Sequence, residues 1–485
     1  MNIIEPILFQ AKLNPEALAL CAPGTQPGSV TYGQLERLMN NIARTALRAG
    51  LRRGNVVAVH LSDPILNMAA SLALTRVGII TASPRGTSLP REAGVSAILT
   101  DSAARFENVG RVIATDASWT IGDGKPLSDA TAYHSRGDDL CRIVFTSGTT
   151  GKPKPVALSH RLVAERVARR YPIFGSQLPH LDRMYFGVGL GTALGFEFLI
   201  YLLWRGGAAF FPGQSAESAA QAFELYGVQS MLTSAHALAS TLSFYEANSA
   251  FPCRLEHIIC GGSLLPRELA ERVQARMCST LFCAYGATEV SVVAAASAET
   301  IRDVPGAVGY VTPGVSVEIV DESERPLAGR AEGLVRIRSP YNAEGYMGDQ
   351  PETDKAFRNG CFYPADIGYL RDDGMLVITG RESAVLNIGG DKVAPEVVEA
   401  ALVSFAGVAE AAAFTMPNQF GIPELCAAIV STSPLDEDAL RAHCSEKLER
   451  AFVPLRFIRI EKIPRNEMGK IERPHLAELT KQASF

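Results

Sequence analysis

The sequence predicts an α/β protein, a large N-terminal α/β domain with several sheets and a small C-terminal α+β domain. Three observations predict it. Apolar, strand-like runs alternate with amphipathic, helix-like runs from residue 31 onward, which is the pattern of a sheet with parallel strands. The 485 residues are 47% hydrophobic and 20% charged, which suits about two to four packed units and not a disordered chain. Beyond Arg381 the texture changes to a self-contained stretch of about a hundred residues, an ordinary size for a small domain.

Taken in order, "TYGQLERLMNNIARTALRAGL" sets Leu35, Leu38, Ile42, Ala43 and Leu47 at near-helical spacing. "NVVAVHL" then reads as a buried strand, and "ILNMAASLALTRVG" as a helix ending at Gly78. "RIVFT" is a strand, "SGTTGKPK" a loop and "HRLVAERVARR" a helix. "GAAFF", "SMLTS" and "HIICGG" read as further strands, while "SVEIVD", "GLVRIRS" and "GMLVITG" alternate like strands of a half-exposed sheet. In the last stretch, "APEVVEAALVSF" carries Pro395 at a first helical turn, where its missing N–H matters little. Val398, Leu402 and Phe405 give that helix an apolar face. Strands "VAEAAAF" and "CAAIVST", a helix from about residue 436 to 450, and strand "FIRIEKI" complete the domain. The division falls at 1–380 and 384–485, with residues 381–383 between them.

Composition narrows the function. The net charge is −5, and no basic block interleaved with aromatics stands out, so nucleic acid is not expected as a partner. The nine cysteines are scattered, with no CxxC pair and no zinc-type spacing. They read as small buried apolar residues in a reducing compartment. The first twenty residues lack a basic n-region, so a cytoplasmic location is expected and a secretory signal is not. Residues 184–204, "MYFGVGLGTALGFEFLIYLLW", are long enough to suggest a membrane span. Glu197 and the glycines at 187, 189, 191 and 195 argue instead for a buried loop and a core helix.

The stretch "FTSGTTGKPK", residues 145–154, packs four hydroxyl side chains, two glycines and two lysines into ten positions. Short donors, permissive backbone and a point charge suit a polyphosphate. A polar surface turn would look similar. It is not a Walker A loop, because Gly148, Gly151 and Lys152 do not fit the GxxxxGK[ST] spacing.

"FTSGTTGKPKPVALSH" resembles the phosphate-loop motif of the adenylate-forming superfamily: acyl- and aryl-CoA ligases, peptide-synthetase adenylation domains and luciferases. Four more resemblances follow in the family's order. They are "YGATEV" at 285–290, "YPADIGYLRDDGMLVITGR" at 363–381, "LNIGGDKVAPEVVEA" at 386–400 and "IPRNEMGKIERPHL" at 463–476. The resemblance covers nearly the whole chain, and it implies ATP and Mg2+ as cofactors. It assigns Thr146, Ser147, Gly148, Thr149, Thr150, Gly151 and Lys152 to the β- and γ-phosphates, Thr288 to the α-phosphate and Glu289 to Mg2+. It places Gly261, Gly262 and Tyr285 around adenine, and Asp366 and Arg381 on the ribose. It gives Lys470 the charge that bridges phosphate and carboxylate during adenylation. It also implies a mobile C-terminal lid turning about the hinge 381–383, where this sequence has Ser383 in place of the usual aspartate or lysine.

Elementary chemistry agrees. A carboxylate that attacks an α-phosphate is an anion meeting an anion, so a cation and a metal must offset the repulsion. Mg2+ takes oxygen ligands, few of them from protein, which a lone glutamate satisfies. An aspartate accepts from both hydroxyls of a diol.

"FGVGLGTALGF" resembles the GLG segment of aryl- and acyl-CoA ligases, so Phe186, Val188, Leu190, Thr192 and Phe196 are candidate walls for a small aromatic or aliphatic carboxylic acid. Plain core packing explains any one of them as well. The acid nearest to the position that holds the ammonium in amino-acid-activating members is Glu197, so an α-amino acid is disfavoured. Gly389 and Gly390 match glycines beside the pantetheine arm. That arm belongs to CoA or to the phosphopantetheine of a separate acyl-carrier protein. The resulting expectation is an AMP-forming acid–thiol ligase. Loading of a carrier protein, a non-catalytic nucleotide sensor, and a kinase or ATPase releasing ADP stay open as alternatives.

Overall fold

The structure of the protein is a computed structural model. It describes residues 1–485 except 85–88, 104–105, 123–124, 128–133, 147–152, 176–177, 179–180, 212–215, 264, 382–385, 389–390, 394, 418–422, 449–451, 467–468 and 482–485. The chain divides into two compact units, Met1–Val317 with Ile337–Phe362, and Glu318–Arg336 with Tyr363–Phe485.

In the first unit, the helix Tyr32–Arg48 begins where the sequence places it, because Thr31 and Gln34 form a reciprocal capping box. It precedes the strand Val56–His60 and the helix Pro64–Arg76, which Asp63 caps and which has proline in its first turn. Six strands make one sheet, in the order Val112–Ala114, Ala97–Thr100, Val56–His60, Ile80–Ala82, Leu140–Thr146 and Lys154–Ser159. All neighbours are parallel except the last pair, which is antiparallel. The sequence places Lys154 in a loop; the fold instead has it open the last strand, opposite Thr146.

A second sheet runs through Leu18–Cys21, Ala208–Phe210, Arg183–Phe186, Ser230–Thr233, His257–Gly261 and Leu281–Ala287, all parallel. It turns antiparallel at Ser291–Ser297 and Ala307–Val311. Such near-continuous apolar strands are what buried parallel sheets require. The segment 184–204 is a correction in part. Met184, Tyr185 and Phe186 belong to a strand, and the core helix is Ala193–Trp204, capped by Thr192. That helix shares one apolar cluster with Val144 of the first sheet and Phe186 and Leu232 of the second. Among the described residues no helix is long and apolar enough to cross a membrane.

In the second unit, Asp366–Leu370 pairs antiparallel with Met375–Arg381 and with Gly333–Arg338. The helix Pro395–Val403 precedes the antiparallel strands Val408–Pro417 and Pro423–Ser431, and Arg456–Arg459 joins them in parallel. Alternation along Val408–Pro417 buries both faces of this sheet. Ala411 and Ala413 face Val398, Leu402, Leu440 and Cys444, whereas Ala412 and Phe414 face Ile463 and Leu476. An α+β C-terminal part is therefore present as the sequence predicts.

All nine cysteines are unpaired, and eight are buried. Burial pushes the thiols of Cys141 and Cys283 up to about 12 and that of Cys278 to about 11. Thiols so desolvated are packing groups and not nucleophiles.

Candidate active site

Thr288 and Glu289 sit at the tip of a hairpin between the strands Leu281–Ala287 and Ser291–Ser297. The turn is tight: Val290 N–H bonds to Ala287 O at 3.2 Å. Gly286 is required here, since a Cβ would lie 2.0 Å from Ser291 O. Ser291 itself holds a left-handed φ of 67°, a conformation that a non-glycine residue keeps only when its surroundings enforce it.

Glu289 is 7% exposed. Its carboxylate Oε1 accepts the Tyr346 hydroxyl at 2.7 Å, and its carbonyl accepts Ala343 N–H at 2.6 Å. Among the described residues it makes no ion pair with a lysine or arginine. A buried carboxylate without a protein cation suits a hard metal ion that keeps most of its ligands as water and phosphate. The residues present thus fit the metal. No group of three or more His, Cys, Asp or Glu that could hold a metal ion occurs among the described residues.

Thr146 ends the strand Leu140–Thr146 beside Lys154. Lys154 pairs with Glu352 and lies 4.8 Å from the centre of the Tyr346 ring. Ser147, Gly148, Thr149, Thr150, Gly151 and Lys152 lie outside the described residues. Gly261 closes the strand His257–Gly261, opposite Ala284 and so next to the half-exposed Tyr285. A Cβ at Gly261 would lie 3.0 Å from Leu194 Cδ2 and 3.2 Å from Ala284 O, and Gly262 has φ 87°. Both glycines are therefore where backbone approaches closely or bends left.

Of the candidate acid-pocket walls, Phe186 and Phe196 are each 1% exposed and Val188 6%. Leu190 keeps more exposure. Thr192 uses its hydroxyl twice, donating to Gly189 O at 2.8 Å and accepting from Gly195 N–H at 3.0 Å. Arg142, buried beneath them, lies 4.2 Å from the Phe196 ring centre and donates to Ser83 Oγ at 2.6 Å and Leu190 O at 3.0 Å. Burial lowers its pKa to about 10. Glu197 is not a free acid: it is fully buried and binds Arg166, Arg170 and Ser291. A cavity of about 660 Å3 lies elsewhere in the unit, between Gln34, Asn41, Leu66 and Trp119, and holds none of the motif residues.

In the second unit, Asp366 and Arg381 face each other across paired strands. Arg381 Nε donates to Asp366 Oδ1 at 2.6 Å, and Asp366 is 3% exposed. Lys470 follows a turn in which Asn466 N–H bonds to Lys470 O at 2.9 Å and Lys470 N–H to Asn466 Oδ1 at 3.0 Å. Gly389, Gly390 and Ser383, the last expected in a hinge, lie outside the described residues.

Sequence reasoning missed Tyr346, Arg166 and the pairing of Glu197. Each is joined to the hairpin through a contact spanning many residues, and periodicity carries no signal for that.

The AMP-binding enzyme family model matches residues 9–347, and the AMP-binding enzyme C-terminal domain matches residues 397–470. The chain belongs to the AMP-binding enzyme family. This AMP-binding enzyme is 27% identical to a 2-succinylbenzoate–CoA ligase of Bacillus velezensis, with 98% of each chain covered. It is 26% identical to a 3-hydroxybenzoate–CoA ligase of an Aromatoleum species, covering 93% of this chain and 92% of that one. A plipastatin synthase of Bacillus subtilis matches at 27% over 96% of this chain but only 19% of its own length. Among solved structures, o-succinylbenzoate CoA synthetase of Bacillus subtilis in complex with its acyl-adenylate shares the fold, with a TM-score of 0.83 at 22% identity over 97% of both chains. The amide bond synthetase McbA of Marinactinospora thermotolerans gives a TM-score of 0.80, also at 22% identity. By class this AMP-binding enzyme is an AMP-forming acid–thiol ligase.

Proposed function

We propose that the chain joins a small aromatic or aliphatic carboxylic acid to CoA in two steps, using ATP and Mg2+. The observation that carries this reading is the Glu289 carboxylate: buried, held by Tyr346, and unmatched by a protein cation among the described residues. In the first step a carboxylate oxygen of the acid attacks the α-phosphorus of ATP. The bond to the pyrophosphate oxygen breaks, and pyrophosphate leaves. Mg2+, when bound, offsets the negative charge of the phosphates. Glu289 holds the metal, Thr288 donates to the α-phosphate, and the loop 146–152 donates to the β- and γ-phosphates. Asp366 accepts from the ribose hydroxyls, with Arg381 holding that carboxylate in orientation. Lys470 supplies positive charge where two anions meet.

In the second step the lid turns about residues 381–383. The CoA thiol, losing its proton to solvent, attacks the acyl carbon past Gly389 and Gly390; the bond from that carbon to the phosphate oxygen breaks, and AMP departs with the electron pair. No protein nucleophile is needed, since positioning and charge compensation lower the barrier. The apolar side chains of Phe186, Val188 and Phe196 suit an aromatic or aliphatic acid, with the Arg142 guanidinium against the Phe196 ring. The occupation of Glu197 by two arginines removes it as a partner for a substrate ammonium.

A carrier-protein thiol as acceptor is the second reading, supported by the match to one segment of the plipastatin synthase. Incubation of the enzyme with ATP, Mg2+, CoA and a panel of aryl and aliphatic acids tests both. The expected products are AMP, pyrophosphate and an acyl-CoA thioester detected by mass. Adenylate without a CoA thioester, but with transfer to a phosphopantetheinylated carrier, favours the second reading. Release of ADP, or no acid-dependent pyrophosphate exchange, refutes both.

A further inference from the structure

The segment "ERVARR", at the end of the helix His160–Ala168 and just past it, looks in sequence like a solvated basic face. The structure buries all three arginines: Arg166 is 0%, Arg169 7% and Arg170 1% exposed. Burying cations requires partners that replace water.

Arg166 finds one for every donor. A guanidinium has five N–H groups, and Arg166 makes five hydrogen bonds. Nε donates to Tyr341 O at 3.0 Å, Nη1 to Glu197 Oε1 at 3.1 Å and Thr288 O at 3.0 Å, and Nη2 to Glu289 O at 2.8 Å and Tyr341 O at 2.8 Å. Thr288 and Glu289 are consecutive residues of a hairpin turn, and the Glu289 carbonyl also accepts Ala343 N–H at 2.6 Å. Glu197 ties the other side of the same turn. It accepts the Ser291 hydroxyl at 2.7 Å and pairs with Arg170, which also donates to Ser291 Oγ at 3.0 Å. Ser291 is the residue with the left-handed φ. The strained turn is thus held from beneath, at Thr288, Glu289 and Ser291, by one buried ion cluster.

We propose that Arg166, oriented by Glu197, is a positioning residue that fixes the Thr288–Glu289 peptide for contact with the α-phosphate and the metal. This rests on the reading that Thr288 and Glu289 meet the nucleotide and Mg2+. Preorganised dipoles and ligands act fully only when they need not reorganise during the reaction, and a displacement of about 1 Å is enough to lower a rate about a hundredfold. A cluster that served stability alone would leave the metal response of the folded enzyme untouched.

The test compares Arg166→Lys, Glu197→Gln and Glu289→Gln by acid-dependent exchange of pyrophosphate into ATP across a MgCl2 titration, with circular dichroism and thermal melting alongside. Lysine keeps the charge beside Glu197, but its single ammonium cannot span three carbonyls. Arg166→Lys is expected to fold, to lose about tenfold or more in exchange rate, and to need more Mg2+ for half-saturation, in the same direction as Glu289→Gln. The KM for the acid should not change. Glu197→Gln should give a smaller shift of the same sign. A folded Arg166→Lys enzyme with unaltered rate and Mg2+ response, beside a shifted Glu289→Gln, overturns the proposal while sparing the metal site. If Arg166→Lys does not fold, a folded Glu197→Gln with unaltered Mg2+ response overturns it as well. Failure of both to fold makes the cluster a stabilising one only and also overturns it. An unaltered Mg2+ response in Glu289→Gln sinks the underlying reading instead.

Discussion

The Tyr346 hydroxyl donates to Glu289 Oε1 at 2.7 Å, although 57 residues separate the two. Tyr346 is itself pinned. It forms a bridge to Val156, its N–H bonds to Thr353 Oγ1 at 2.9 Å, and Lys154 lies over its ring. The glutamate therefore presents its carboxylate in one orientation, set by a strand of the other sheet. Tyr346→Phe removes the hydroxyl and keeps the ring. Hydrogen bonds to charged groups contribute about 1.5–3 kcal/mol. The expected outcome is a folded enzyme whose exchange activity needs about tenfold more Mg2+ for half-saturation. A magnesium titration of the exchange reaction checks it, and an unchanged curve would remove Tyr346 from the control of Glu289.

Asp366 and Arg381 make a second such pair within their own unit. The partners differ in exposure, 4% for the Asp366 side chain and 37% for that of Arg381. Removing the aspartate leaves an arginine that water can reach, so the fold should tolerate the change. Asp366→Asn keeps the shape but loses the charge and one acceptor for a diol. A rise of about tenfold or more in the KM for ATP is expected, with the KM for the acid unaltered. Steady-state kinetics with each substrate varied in turn decide this, and a rise confined to the acid would place Asp366 elsewhere.

Much of this is legible in the chain because the informative residues lie close together in sequence. "YGATEV" keeps Thr288 and Glu289 on one short turn, and "YPADIGYLRDDGMLVITGR" spans a single hairpin whose register brings Asp366 to Arg381. The C-terminal helix and strands follow from period alone, because Val398, Leu402 and the alanine alternation around Ala412 each obey one local rule. What escapes is non-local. "ERVARR" carries the charge pattern of a wet helix end, and only the fold shows it buried beneath the turn. Glu197 looks like an acid near a pocket because its two arginines precede it by 27 and 31 residues. Lys154 reads as loop because Pro153 and Pro155 surround it, whereas an edge strand tolerates proline.

His160 adds a pH dependence that no motif announces. Its Nδ1 accepts the Ile3 N–H at 3.2 Å, and burial, helped by the N-terminal ammonium, holds its pKa down at about 4. An unfolded imidazole titrates near about 6.5. Between those values the unfolded chain binds a proton that the folded chain refuses, so stability falls as pH drops from about 6.5 to 4 and is full above that window. His160→Gln should melt lower than the natural protein at pH 7.5, and the gap should narrow at pH 5. Thermal melting across that range checks it. A gap independent of pH would mean that the folded imidazole titrates normally.

Lys470 allows the two half-reactions to be separated. Several bonds hold its backbone: Asn466 bonds to both its N–H and its carbonyl, and Arg465 Nη1 donates to Gly469 O at 2.9 Å, where the chain turns through a φ of 74°. Truncation to alanine keeps these backbone bonds, and a melting temperature measured alongside separates loss of the charge from loss of the fold. In the proposed mechanism the carboxylate–phosphate encounter uses that charge, because two anions approach each other there. Attack of a thiol on an acyl adenylate does not bring the same anions together. Lys470→Ala should accordingly lose about a hundredfold or more in pyrophosphate exchange. It should convert a synthetic acyl adenylate and CoA to thioester at close to the natural rate. Equal loss in both assays, with an unchanged melting temperature, would show that Lys470 acts on the acyl-transfer step as well and would remove its assignment to adenylation.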